Sequence, residues 1–188
     1  TGIGTVIHDD PRLNVRDIST PRQPLKVVVD SQLNMPTQAQ ILSSGSTLIA
    51  YAQDEQQRAQ SLLNLAGAEK SDAKTSAALS NDIALLPLAN AQQQVDLPAL
   101  MQHLAQMGIN EVLVEAGSRL NGALLQAKLV DELIVYLAPH LMGGQAMEMF
   151  AAPILQNMDA RVSLQWKDMR QVGRDLRLIA RPQYHDAD

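Results

Sequence analysis

The sequence predicts an α/β fold, a layered and mostly parallel sheet with antiparallel strands at its C-terminal edge. Three features carry that reading. Short β-branched runs alternate with segments of helical periodicity, the pattern of strand–helix–strand units. Asp96 can cap the clearest helical segment and Gly108 ends it. The tail instead alternates apolar and polar residues on either side of Gly173, as an antiparallel pair does.

In order, Gly4–Arg16 (GTVIHDDPRLNVR) reads as a strand end running into a charged loop that Pro11 stiffens. Leu25–Asp30 (LKVVVD) reads as a buried strand between Pro24 and the polar Ser31, and Ser46–Ala52 (STLIAYA) as a second. Gln57–Leu65 is a short helix, and the Ala/Ser/Lys-rich stretch Gly67–Ser80 a surface connection. Asp82–Leu88 (DIALLPL) is a third strand, ending near Pro87. The helix capped by Asp96 sets Leu97, Leu100, Met101, Leu104 and Met107 at helical spacing. Asn110–Glu115 (NEVLVE) follows as a strand, and Gly117 leads into a helix over Ser118–Lys128 with Leu120, Leu124 and Ala127 inward. Asp131–Ala138 (DELIVYLA) is a strand apolar enough to be covered on both faces. Arg161–Arg170 and Asp175–Pro182 form the C-terminal pair. Nothing repeats at a fixed period and no boundary is visible, so the 188 residues read as one domain.

Composition narrows the function. An apolar share of 46% with 19% charged residues suits a packed core and not a disordered chain. A net charge of −5 argues against nucleic acid or a membrane surface as partner. No apolar run reaches the ~18 residues of a membrane span, and no secretory leader is visible. The lack of cysteine excludes disulfides, thiolate metal sites and a cysteine nucleophile, and fits a cytoplasmic protein. His8, His103, His140 and His185 have no ligand spacing, so no metal is expected. His103 reads as a surface side chain, the Met142–Met149 methionines as core or interface filler, and Trp166 as a sheet residue. No Gly-x-Ser-x-Gly elbow supports a serine hydrolase.

Ligands of open α/β sheets collect at the carboxyl ends of the strands. Two segments have that placement. In VLVEAGSRLNGALL, Glu115 closes a strand, Gly117 permits a tight turn, and the helix start offers N–H groups that favour an anion. The glycine spacing matches no dinucleotide or Walker motif, and on the residues alone a plain turn with a Ser118 cap is the favoured reading. In the opening loop, Asp9 can accept from amides or hydroxyls, and Arg16 carries a fork suited to phosphate. A solvated turn with a surface ion pair is the other reading there.

The stretches TVIHDDPRLNVR, RQPLKVVVDSQ, VLVEAGSRLNGALLQAKLVDELIVYLAPHLMGG and VGRDLRL resemble, in order and spacing, the reductase domain of the bifunctional riboflavin biosynthesis proteins, RibD. The resemblance implies a dihydrofolate-reductase-like fold and an NADPH-dependent reduction of 5-amino-6-(5-phosphoribosylamino)uracil to its ribityl form, by hydride transfer to C1′. It implies cofactor contacts at Thr5, Asp9, Ser31 and the run Gly117, Ser118, Arg119, Leu120, Asn121, Gly122 and Ala123. Leu13, Arg16 and Glu115 match substrate contacts, with Arg16 on the substrate phosphate; no general acid is assigned. A homodimer is implied, and His140 stands where the family commonly has lysine. The family's reductase domain starts with two strands, a loop and a helix ahead of GTV, preceded in turn by a zinc deaminase domain. The resemblance therefore implies an N-terminally incomplete domain with exposed sheet edges. A non-catalytic, reductase-like nucleotide-binding or dimerisation module is the alternative.

Overall fold

The computed structural model describes residues 1–43, 45–65, 83–151 and 161–184. They fall into two compact units, Thr1–Gly117 and Ser118–Asp188. The stretch expected as a surface connection, Gly67–Ser80, lies outside the described residues.

The first unit is built on a parallel sheet in the order β1 (Lys26–Val29), β2 (Thr47–Tyr51) and β3 (Ile83–Pro87). Its register sets Val28 beside Ile49 and Ile49 beside Leu85. Val28 and Ile49 are fully buried, in one cluster with Val6, Leu33, Met35, Ile41 and Leu62. Lys26 is buried as well; its Nζ donates to the Ile41 carbonyl, and burial pulls its pKa down. Pro87 ends β3, where a missing N–H breaks no further ladder. Helix α2 (Ala59–Leu65) starts two residues later than expected because Gln57 is left-handed, at φ 53°. The Asp54 carboxylate accepts from the Arg58 and Ala59 N–H groups at 2.6 and 3.0 Å, covering donors that a helix start leaves open. Helix α3 (Leu97–Gln106) follows the expected cap, with Asp96 accepting from the Ala99 N–H at 3.0 Å. Leu97, Leu100 and Leu104 are buried beneath it, whereas Met107 caps the end and is exposed.

Two expectations fail in this unit. The opening stretch is not a strand end: Ile3–Asp9 forms helix α1, and only Thr1–Gly2 stays extended, bridging Val29 in parallel. Burial of Val6 with Ile3 one turn earlier supplies a one-sided helical stripe that outweighs the β-branched composition. Asn110–Glu115 is not a strand either. Among the described residues no strand pairs with it, and Val112, Leu113 and Val114 are exposed. A short apolar run alone forms no ladder; a strand needs a neighbour for its N–H and C=O groups.

The second unit opens with helix α4 (Ser118–Gln126), in which Leu124 is buried and Leu120 half-buried, as its spacing predicts. The left-handed Lys128, φ 56°, ends it. Strands β4 (Leu133–Leu137), β5 (Ser163–Val172) and β6 (Asp175–Gln183) form an antiparallel sheet in the order β4-β6-β5. Gly173, at φ 61°, permits the tight turn between β5 and β6, and a bulge sits between Trp166 and Asp168. The expectation that β4 is covered on both faces fails: Ile134, Tyr136 and Leu137 are each more than half exposed. Pairing antiparallel with β6 requires no crossover helix over these faces. Met142 and Met147 are also exposed, so they are not core. Among the described residues no helix is long and apolar enough to cross a membrane.

Candidate functional site

The opening loop is held by two glutamines. Helix α1 ends at Asp10, left-handed at φ 43°. Its carboxylate accepts from the Gln40 backbone N–H at 2.8 Å and from Gln40 Nε2 at 2.9 Å. Those bonds hold Asp10 below the usual carboxylate range. Gln40 Oε1 in turn accepts from Arg12 Nε at 2.7 Å. Further on, Gln23 grips Val15 at both its N–H and its carbonyl, at 2.9 and 3.1 Å. Between these anchors Leu13 is left-handed, at φ 47°, and packs partly against the core. A leucine in that conformation carries strain of order ~1 kcal/mol and persists only because its surroundings impose it. Asp9 and Arg16 stand exposed on the same helix and loop, with Thr5 half-buried in α1.

At the carboxyl end of β1, Asp30 is completely buried. Burial pushes its pKa up, against the opposing pull of the nearby backbone N–H groups of Asn34, Met35 and Gln32. Oδ2 accepts from the Met35 N–H at 2.8 Å, and Oδ1 has no partner among the described residues. Ser31 follows: its Oγ accepts from the Val95 N–H at 3.2 Å, which leaves the hydroxyl proton available for donation. Beside it Gln32, Asn34, Gln53, Glu55 and Gln56 line a small cavity of about 80 Å³. These amides were missed from the sequence, although their position just after β1 and β2 was a usable signal.

Glu115 is exposed. Gly117 is not left-handed, and a Cβ added there would meet nothing within 4 Å. The tight-turn explanation for this glycine therefore fails, and no contact among the described residues accounts for it.

In the second unit, Ser118 and Arg119 at the start of α4 face Ala146, Met147, Glu148 and Ala151 across an open cleft of about 460 Å³. The far wall was not legible in the sequence beyond its methionines. Leu120, Asn121 and Ala123 are half-buried on α4, and Gly122 is buried. Thus Thr5, Asp9, Leu13 and Arg16 share one helix and loop, Ser31 sits at a strand end, and Ser118 and Arg119 share a cleft.

The fold recurs in solved riboflavin-biosynthesis proteins. RibD from Acinetobacter baumannii matches with a TM-score of 0.75 at 30% identity, covering 97% of this chain and 46% of that one. The Saccharomyces cerevisiae riboflavin biosynthesis reductase Rib7 shares the fold at a TM-score of 0.61 and 20% identity, covering 97% of this chain and 73% of that one. The α/β class expected from the sequence is thus the class found, that of the riboflavin-pathway reductases with a dihydrofolate-reductase-like fold. Residues 1–178 match the RibD C-terminal domain, and this chain belongs to that family. Among its curated relatives, the Escherichia coli K12 riboflavin biosynthesis protein RibD is 34% identical over 94% of this chain and 46% of its own length. The 2,5-diamino-6-ribosylamino-4(3H)-pyrimidinone 5′-phosphate reductase of Archaeoglobus fulgidus is 33% identical over 77% of this chain and 62% of its own length. The chain spans about half the length of the RibD proteins it matches.

Proposed function

We propose that this chain is the reductase part of a RibD protein and reduces 5-amino-6-(5-phosphoribosylamino)uracil to its ribityl form with NADPH. The observation that carries the reading is the family match over residues 1–178, which includes both candidate segments. The residues present fit the cofactor's phosphates. A helix start favours anions, Arg119 adds a cation, and a cleft of about 460 Å³ lies within the size range of ligand sites. The vacant space around Gly117 supports the same reading, since a dinucleotide backbone lying there would exclude a side chain. Glu148 on the far wall opposes the anion and directs it toward Arg119.

When bound, NADPH would supply a hydride to C1′ of the ring-opened imine form of the ribosylamine, in which the C1′–O4′ bond is already broken and the nitrogen takes up a proton. The chain's own residues bind and orient. Arg16 clamps the substrate phosphate through its guanidinium fork, Leu13 packs on the substrate beside it, and Glu115 accepts from ribose hydroxyls. Thr5, Asp9 and Ser31 contact the cofactor away from its phosphates, and the run Gly117–Ala123 carries the phosphates. Charge held in a fixed geometry is what such a site contributes to the barrier. A deaminase domain elsewhere in the same protein and a homodimer complete the assembly. The exposed Ile134, Tyr136 and Trp166 on the antiparallel sheet support the latter.

The test is direct. The intact protein, mixed with NADPH and the phosphoribosylamino-uracil, should consume NADPH only when both are present and form the ribityl product. Consumption without that product, or none at all, defeats the assignment.

A further inference from the structure

Gly122 has a reason to be glycine that differs from that of Gly117. A Cβ built on it overlaps the Ala151 carbonyl oxygen and lies 2.8 Å from the carbonyl carbon and 3.1 Å from the nitrogen. These are backbone atoms and cannot swing away as a side chain would. The Ala151 N–H donates to the Ser118 carbonyl at 2.9 Å, and Asn121 Nδ2 donates to the Met149 carbonyl at 3.3 Å. Three consecutive features of α4, at Ser118, Asn121 and Gly122, therefore grip one short piece of backbone, Met149–Ala151. Ser118 and Gly122 lie four apart and so on one helix face. The gripped piece continues directly from Ala146, Met147 and Glu148, the wall opposite Ser118 and Arg119.

We propose that Asn121 and Gly122 are positioning residues: they dock the Met149–Ala151 backbone onto α4 and so set the width of the cleft that receives the cofactor's phosphate. This rests on the NADPH reading above. Neither residue need touch the cofactor; the run Gly117–Ala123 divides into a lining part, Ser118 and Arg119, and a docking part, Asn121 and Gly122. Glycine in a helix interior lowers helix stability by roughly 1 kcal/mol relative to alanine, so Gly122→Ala would otherwise be a gain. Only the approach of Ala151 turns it into a loss.

The experiment compares Gly122→Ala and Asn121→Ala with the parent in the intact protein. It uses NADPH titration by fluorescence, steady-state kinetics, and hydrogen exchange at the Ala151 amide. For Gly122→Ala, the NADPH dissociation constant should rise about tenfold, a shift of ~1.4 kcal/mol, with the substrate KM altered less than about twofold. The Ala151 amide should exchange faster while the amides of β1 and β2 stay protected. Asn121→Ala removes the exposed bond to the Met149 carbonyl, leaves the fold intact, and should raise the same constant about threefold. Unchanged NADPH affinity in both variants, or equal losses for NADPH and substrate, overturns the docking role while leaving the reductase reading in place. A parent protein that binds no NADPH overturns both.

Discussion

Strands β1 and β2 and strand β4 have much the same apolar content, yet they meet different surroundings. KVVV and TLIAY lie in a parallel sheet, and Val28, Ile49 and Ala50 are fully buried. LIVYL lies in an antiparallel sheet and leaves Ile134, Tyr136 and Leu137 more than half exposed. Hydrophobicity along a strand does not by itself report what covers it. Parallel neighbours need crossover segments that pack back onto the sheet, whereas antiparallel neighbours can be joined by a turn, as at Gly173, with both faces left open.

That contrast can be broken by substitution. Ile49→Ala should cost ~3–4 kcal/mol in denaturant unfolding, because the parallel core has no room to collapse around the void. A loss under ~1 kcal/mol would mean the core is much looser than its burial indicates. The two units should also differ in what they do for ligands. Arg16→Ala, in the first, should raise the substrate KM about thirtyfold and leave NADPH affinity within about twofold. Equal losses for both ligands would end its assignment to the substrate phosphate. Gly117→Val, where the first unit hands over to the second, should weaken NADPH about tenfold while unfolding stability moves by less than ~0.5 kcal/mol. Unaltered cofactor affinity would leave that glycine unexplained.

The counterpart of the first substitution is smaller. Ile134→Ala should cost under ~1 kcal/mol at low protein concentration. A loss that grows as protein concentration rises would reveal that a second copy covers this sheet. Smallest of all is a pH slope. The folded pKa of Asp30 is raised, so the stability tied to its protonated form is present below the unfolded carboxylate value and fades as pH rises through the folded one. The stability of the parent relative to Asp30→Asn should therefore decline as pH rises across that window. A flat difference would show that the buried carboxyl has no titration in the range.

Much of this was legible because it is local. Asp96 announces α3 by its capping geometry, Pro87 stops β3, and Gly173 turns β5 into β6, each through a preference of the residue itself. What escaped depends on distant partners. Val112–Val114 is an apolar, β-branched run like a strand's but finds no ladder among the described residues, and Ile3–Asp9 becomes helical because Val6 reaches a core assembled from residues far along the chain. The candidate site divides the same way. Ser118 and Arg119 follow from the expected helix start alone, since the strand and tight turn expected before it did not form, while the Ala146–Ala151 wall depends on a backbone contact that no spacing rule encodes.

The glutamine grips on the opening loop have a consequence for ionic strength. Gln40 and Gln23 hold Asp10, Arg12 and Val15 through short hydrogen bonds from uncharged amides, and such contacts are not weakened by counterions as an exposed ion pair is. The loop should keep its shape in concentrated electrolyte, whereas the pull proposed for Arg16 on an anionic substrate should weaken. Added potassium chloride would then lower capture of the phosphorylated compound without loosening the scaffold that presents it.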